Sequence, residues 1–263
     1  MWPTADCASR LPPVGGAKVN AIRVGCAGWS IPSRHAALFA GGQSHLARYA
    51  SRFDVVEVNS TFYRQHLPQT FERWAASVPT HFRFSLKLPK QITHDARLQG
   101  TGDALSTFFD GVAGLGQKLG GILVQLPPSL IFDARVADRF FAMLRRRSSA
   151  PVACEPRHPS WFEPNVDILW QRYAVARVAA DPAPIPAGGL AGGAVASSRW
   201  SYWRWHGSPR RYYSRYDDAA LQTLAHSLLE RAQADAPAWC VLDNTALGHA
   251  VEDAARLQEL IRG

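Results

Sequence analysis

Residues 55–63, Val55-Val56-Glu57-Val58-Asn59-Ser60-Thr61-Phe62-Tyr63, read as a buried strand that carries a carboxylate and ends in polar groups. The β-branched residues Val55, Val56 and Val58 favour a packed, pleated strand. Side chains alternate faces along a strand, so Glu57 and Asn59 share one side while Val56 and Val58 share the other. A charge on an apolar strand costs several kcal/mol unless it is paired or solvated in a cavity. Two readings follow. Either Glu57 locks the core by pairing with a buried arginine, or it faces a site at the end of the strand. The second leads because the same pattern recurs along the chain.

Outward from this stretch, short apolar runs alternate with amphipathic segments. Strands are expected near 22–25, 55–59, 82–88, 122–126, 152–155, 175–180, 202–206 and 240–243. Between them, apolar residues recur at spacings of three and four, as in Phe71/Trp74/Val78, Leu105/Phe108/Val112 and Leu221/Leu224/Leu228. Such spacing marks one face of a helix. Eight strands alternating with helices predict an α/β fold, a single TIM-type (β/α)8 barrel over residues 21–263. One unit departs from the rule. Residues 181–199 hold three prolines and four glycines, which predicts an irregular connection in place of a regular sixth helix. Residues 1–20 are rich in proline and glycine without the apolar core of a signal peptide, and read as a flexible leader.

Of 263 residues, 29 are basic and 21 acidic, a net charge of +8, and only four of the basic residues are lysines. Codon bias toward arginine accounts for such an excess as readily as function does. It still favours an anionic partner over a basic one. No apolar run approaches the ~20 residues that span a bilayer, so a cytoplasmic protein without membrane contact is the expectation. The cysteines Cys7, Cys26, Cys154 and Cys240 form no CxxC pair, and neither a disulfide framework nor a zinc site is indicated. No cofactor is expected, and the oligomeric state is left open.

In a barrel of this class the site gathers at the C-terminal ends of the strands. The first strand end supplies Trp29 after a glycine-rich turn, the second Glu57, Asn59 and Tyr63. Lys87 and His94 follow from the third, and Gln125 from the fourth. The fifth gives the densest cluster, Glu155-Pro156-Arg157-His158-Pro159-Ser160-Trp161. In the seventh, alternation sets Tyr202, Arg204 and His206 facing inward and Trp203 and Trp205 outward. The eighth ends in Asp243-Asn244. These are also good helix-capping residues.

Seven segments in this order carry a resemblance. They are 24–30 (VGCAGWS), 53–64 (FDVVEVNSTFYR), 82–94 (FRFSLKLPKQITH), 120–129 (GGILVQLPPS), 155–161 (EPRHPSW), 202–207 (YWRWHG) and 243–250 (DNTALGHA). Together they resemble the YecE-like family, domain-of-unknown-function family 72, over about residues 22–261. The resemblance implies a TIM barrel with a polar pocket and implies no reaction. Where the family commonly has Asn-Asn, this chain has Asp243-Asn244, so Asn244 and not residue 243 is taken as the ligand-contacting amide.

The residues favour an enzyme acting on a small anionic, sugar- or nucleotide-like substrate by carboxylate acid/base chemistry. Hydrolysis, isomerisation and lyase chemistry all fit. Glu57 and Glu155 form the carboxylate pair, with Lys87, His158 and His206 completing the catalytic set. One carboxylate near arginine stays ionised, while Glu57, against an aromatic wall at Tyr63, is the drier acid. Trp29, Asn59, Tyr63, His94, Gln125, Arg157, Trp161, Arg204 and Asn244 are the expected substrate contacts. A metal site built from Glu57, Glu155, His94, His158 and His206 is set aside, because close-spaced ligand motifs are absent. The competing class binds or processes nucleic acid, using Arg145–Arg147, Arg210-Arg211 and neighbouring aromatics.

Overall fold

The computed structural model of the protein describes residues 22–184, 200–233 and 236–263. Its apolar runs form parallel strands β1 (Ile22–Ala27), β2 (Val55–Val58), β3 (Arg83–Lys87), β4 (Leu119–Gln125) and β5 (Val152–Glu155). They continue as β6 (Val175–Arg177), β7 (Ala179–Asp181), β8 (Ser201–Trp205) and β9 (Ala238–Leu242). The sheet order is β6-β5-β4-β3-β2-β1-β9-β8-β7, so β6 and β7 stand at its two edges. They are consecutive in the chain, separated by Val178 alone. Val178 donates its N–H to the Cys154 carbonyl at 2.8 Å, continuing β6 alongside β5. One stave thus turns from β5 to β8 at this residue and closes eight staves into a barrel.

Helices follow the strands as the sequence periodicity predicts. They are α1 (His45–Tyr49), α2 (Ser60–Tyr63), α3 (Pro68–Ala76), α4 (Gly102–Val112), α5 (Ala134–Arg147), α6 (Asp167–Arg172), α7 (Asp218–Gln233) and α8 (His249–Arg262). α5 starts where the Asp133 carboxylate accepts from the N–H groups of Arg135 and Val136, satisfying two orphan donors. Its face Phe140, Phe141 and Leu144 is fully buried, each side chain contributing roughly 1.5–3 kcal/mol. Most of the expected irregular connection, residues 185–199, and the expected leader lie outside the described residues. No helix among the described residues is long and apolar enough to cross a membrane.

Strand alternation divides the core into two clusters. The outward faces, including Val56, Val58, Trp203 and Trp205, pack with the helices. The inward faces form a separate cluster that includes Val55, Leu123, Ala153, Val178, Trp200, Tyr202, Trp239 and Val241. At the N-terminal end Trp200 and Trp239 meet edge to face, their centroids 5.2 Å apart. Glycine makes room for them. A Cβ at Gly120 would lie 2.5 Å from Trp239, and one at Gly121 would lie 3.0 Å from Trp200. Gly25 answers a similar need, since a Cβ there would sit 2.0 Å from the Val55 carbonyl. Tyr49 fixes that junction by accepting from Cys26 N–H (2.7 Å) and donating to the Val55 carbonyl (2.9 Å).

Candidate active site at the C-terminal end of the barrel

Above the tryptophan plug the inward positions change from apolar to charged. Glu57 and Ser85 are partners in the β2–β3 register, and Gln125 and Glu155 are partners between β4 and β5. Arg204, on β8, reaches all the acids of this layer and is fully buried. It donates from Nε to Glu57 Oε2 (2.9 Å) and from Nη2 to Glu57 Oε1 (2.6 Å), a two-point pair. Its Nη2 also meets Asp243 Oδ2 at 3.1 Å, and its Nη1 donates to Glu155 Oε2. The Tyr202 hydroxyl contacts Glu57 Oε2 (3.0 Å) and Ser85 Oγ (2.9 Å). Three carboxylates therefore share one guanidinium.

Arg157 and His206 complete the layer, both against Glu155. Arg157 Nε donates to Glu155 Oε1 at 2.9 Å. Its Nη2 also lies 2.9 Å from that oxygen, yet it is misaligned and keeps no hydrogen-bond acceptor. His206 Nδ1 bonds Asp243 Oδ2 at 2.9 Å. Its buried Nε2 stands 3.4 Å from Glu155 Oε1 without a hydrogen bond. Buried donors left without acceptors cost about 1–3 kcal/mol each.

The electrostatics follow from these contacts. Burial opposes charge on Arg204, but Glu57, Glu155 and Asp243 outweigh it and raise its pKa well above the ordinary value. Burial alone would push Glu155 up. Arg204, His206 and Arg157 reverse that and hold its carboxyl well below the usual range. Asp243 is likewise held low, by Arg204 and His206 against burial. His206 is raised because Glu155 and Asp243 together overcome burial and Arg204.

Lys87 differs from every one of these groups. It lies on the same face of β3 as Ser85, one step further up, and is 8% exposed. No carboxylate among the described residues comes within ion-pair distance. Its Nζ instead sits 4.1 Å from the centroid of the Phe62 ring. Burial, then Arg204, lower its pKa to about 8 against the pull of Glu57, Glu155 and Asp243. His94 packs edge-on against the same Phe62 ring at 4.9 Å. Burial, followed by Lys87 and Arg157, pushes its pKa down. A cleft of about 470 Å³ adjoins this wall, lined in part by Phe62, Tyr63, Gln65, His66, Thr107 and Phe108.

A family model described as "Protein of unknown function DUF72" matches residues 23–263. The chain belongs to this family. It is similar to UPF0759 protein YecE of Escherichia coli K12, 29% identical over 175 residues that cover 63% of this chain and 61% of that protein. It is also similar to UPF0759 protein YunF of Bacillus subtilis, 28% identical over 156 residues covering 54% of this chain and 53% of that one. The chain thus spans less than two thirds of the length of these curated relatives. Among solved structures, a DUF72 protein of Thermotoga maritima superposes with a TM-score of 0.75 at 22% identity, covering 92% of this chain and 99% of that one. A DUF72 protein of Enterococcus faecalis gives 0.75 at 21%, covering 92% and 96%. At such identities the likeness is one of fold, and it supports the barrel.

Within this DUF72 chain the sequence-derived residues sort into two groups. Glu57, Glu155, Arg157, Arg204 and His206 are joined by direct contacts, with Lys87 and buried Gln125 facing the same way. Asn59 stands half-buried before α2 with its Oδ1 lacking a partner. Others are spent elsewhere. Trp161 is core, stacked on Trp170 (5.7 Å) and donating from Nε1 to the Leu130 carbonyl (2.8 Å). Trp29 meets Trp74 edge to face at 5.0 Å. His158 caps the turn Pro159–Phe162, its Nδ1 accepting from Ser160 N–H. Tyr63 is 79% exposed and packs on Phe62, so it forms no wall for Glu57, whose neighbours are Arg204 and Tyr202. Asn244 donates to Asp253 (2.6 Å) and the Ser214 carbonyl (2.9 Å), tying the end of β9 to α8. Asp243, set aside in favour of Asn244, belongs to the charged layer. Alternation from inward Val241 gives that signal, because it turns residue 243 inward and residue 244 away.

Proposed function

We propose that this protein is an enzyme that acts on a small anionic substrate at the C-terminal mouth of the barrel, with Lys87 as the proton-exchanging group. One observation carries the reading. Every acid of the charged layer is committed to Arg204, Arg157 or His206, and among the described residues Lys87 is the buried cationic side chain facing that layer without an ion pair. A pKa of about 8 places it where a general acid or base works best at neutral pH. The unsatisfied Nη2 of Arg157 and Nε2 of His206 supply donors for an anionic group such as a phosphate or carboxylate.

This reading changes the parts assigned to the carboxylates. Both oxygens of Glu57 are occupied by Arg204, one of them also by Tyr202, which suits a fixed frame better than a mobile acid. Glu155, held ionised, orients Arg157 and His206 toward substrate. Isomerisation, hydrolysis and lyase chemistry all accommodate a lysine in this place. Support for nucleic-acid binding weakens at α5, where Arg145 caps the carbonyls of Tyr173, Ala150 and Ala174 and Arg147 bonds Ser106 and Met143.

The test is a thermal-shift survey of small phosphates, 2-oxo acids and sugar acids. A ligand at 100 times its Kd adds about 2.7 kcal/mol, several degrees for a chain of this size. The expected hit loses its effect in Arg157→Gln, and its turnover falls at least ~10²-fold in Lys87→Met. Equal shifts in wild type and Arg157→Gln would remove the mouth from consideration.

A further inference from the structure

We propose that Lys87 is a nucleophile that forms an imine with an anionic carbonyl substrate, a 2-oxo acid or a phosphorylated aldehyde or ketone. This rests on the reading of the mouth as an anion-binding active site and names its substrate class. A lysine in a salt bridge is held protonated, with no lone pair free to attack, and the carboxylate fixes its position. Lys87 has none: its Nζ lies over the Phe62 ring, at 4.1 Å from the centroid. Thr61 fixes the base of that arrangement by donating to the Lys87 carbonyl at 2.7 Å and the Val58 carbonyl at 2.9 Å. The side chain rises on the inward face of β3 into the charged layer that also holds Arg157 and His206. Arg157 Nη2 and His206 Nε2 are both buried against Glu155 Oε1, at 2.9 and 3.4 Å, with geometry that completes no hydrogen bond. A substrate whose anionic end meets those donors is held with its remaining atoms toward the amine. Desolvated lysines beside other cations are activated amines, and burial together with Arg204 does lower Lys87 here.

The step balances without any further reagent. The neutral Nζ adds its lone pair to the carbonyl carbon, and the C=O π pair moves to oxygen, which takes a proton. Loss of an N–H proton and of that oxygen as water leaves a C=N bond, so amine plus carbonyl gives imine plus water. The protonated imine then draws electrons from the adjacent carbon. Proton transfer or carbon–carbon cleavage at that carbon is the chemistry to expect.

The experiment incubates the whole protein at pH 7.5 with sodium cyanoborohydride and one of three probes, namely pyruvate, glycolaldehyde phosphate or uncharged glycolaldehyde. Peptide mass spectrometry then locates the secondary amine left by hydride addition to the imine. The expected result is an adduct at Lys87 at least tenfold above those at Lys90 and Lys118, formed by one charged probe, with glycolaldehyde slower. Whichever charged probe reacts distinguishes the 2-oxo acid from the phosphorylated carbonyl. Adducts spread evenly over the three lysines, or absent from Lys87, overturn the imine. If inorganic phosphate still stabilises wild type and not Arg157→Gln, that failure leaves the anion site standing. Labelling of Lys87 by glycolaldehyde as fast as by the charged probes overturns the anionic substrate class, and the reading of the mouth with it.

Discussion

The two ends of the barrel interior are built by the same strands to opposite specifications. At the lower end Trp200 and Trp239 fill the space, and glycine at 120 and 121 lets them in. At the upper end Arg204 gathers Glu57, Glu155 and Asp243. Tyr202 spans the boundary, its ring packed among the lower apolar residues and its hydroxyl on Glu57. Apolar filling would stabilise either end, since a buried ion network is seldom better than well-packed hydrophobic side chains of equal volume. A costly charged layer stands at one end only, the end where barrel enzymes keep their sites, and that asymmetry is what the proposed active site rests on.

The largest expected effect comes from removing the centre of the upper layer. Arg204→Met leaves three buried carboxylates without their shared cation and should destabilise by about 5 kcal/mol, the upper end for one broken buried pair. Trp239→Ala, at the lower end, should cost about 3–5 kcal/mol through cavity formation. The two losses differ in pH dependence. Glu155 and Asp243 have depressed pKa values in the folded chain. Their contribution is present above the unfolded carboxylate value of about 4 and is lost as pH falls through the lower folded values. Urea midpoints should therefore show the Arg204→Met deficit shrinking as pH falls below about 4, with Trp239→Ala unchanged. Parallel pH behaviour would show that the carboxylates are not the stranded groups.

Lys87 offers an effect of opposite sign. Its folded pKa of about 8 lies below the ordinary 10.5. Below pH 8 the amine is charged in both states, and the folded state bears the full cost of burying it. Between about 8 and 10.5 the unfolded chain holds more protons, so stability rises across that window. Replacing the amine by methionine removes the penalty. Lys87→Met should be more stable than wild type at pH 7 by up to ~3 kcal/mol, and the gap should close by pH 10.5. Chemical denaturation at pH 7, 9 and 10.5 reads this directly. A variant weaker than wild type at pH 7 would mean that the Phe62 contact outweighs desolvation.

How much of this was visible in the sequence depends on the kind of information each residue carries. Period-two alternation in residues 202–206 separated Arg204 and His206 from Trp203 and Trp205, and it assigned the two faces correctly because both are buried in packed layers. Helical spacing likewise located Leu105, Phe108 and Val112 on the buried face of α4. What spacing could not convey is partner choice. A buried arginine is one of two partners the sequence allows Glu57, but nothing in the spacing points to Arg204, 147 positions away, which occupies both its oxygens. Aromatic residues in loops were misread for the same reason. Trp29 and Trp161 are taken up by Trp74 and Trp170, ring contacts between neighbouring elements that spacing within one element does not reveal. The split of the sixth stave at Val178 was invisible, since a turn within a continuous apolar run leaves no mark in composition.

The smallest expected effect sharpens the comparison within a stretch of four residues. Lys90 lies just past β3 and pairs with Asp95 at 2.8 Å, but both side chains are more than half exposed, 53% and 55%. Water screens such a pair, and ordering two flexible side chains offsets the attraction. Lys90→Ala should change stability by no more than ~0.5 kcal/mol and still less at 1 M salt, where the Debye length falls to about 3 Å. Its turnover should match wild type. The contrast with Lys87 bears on burial, because the two lysines share charge, chemistry and neighbourhood in the chain and differ in access to water and in the screened pair that Lys90 makes with Asp95. Denaturant midpoints at 0.1 M and 1 M salt, measured for both variants, decide it. A loss in Lys90→Ala comparable in size to the gain in Lys87→Met would mean that local charge, and not desolvation, sets the behaviour of this edge of the barrel.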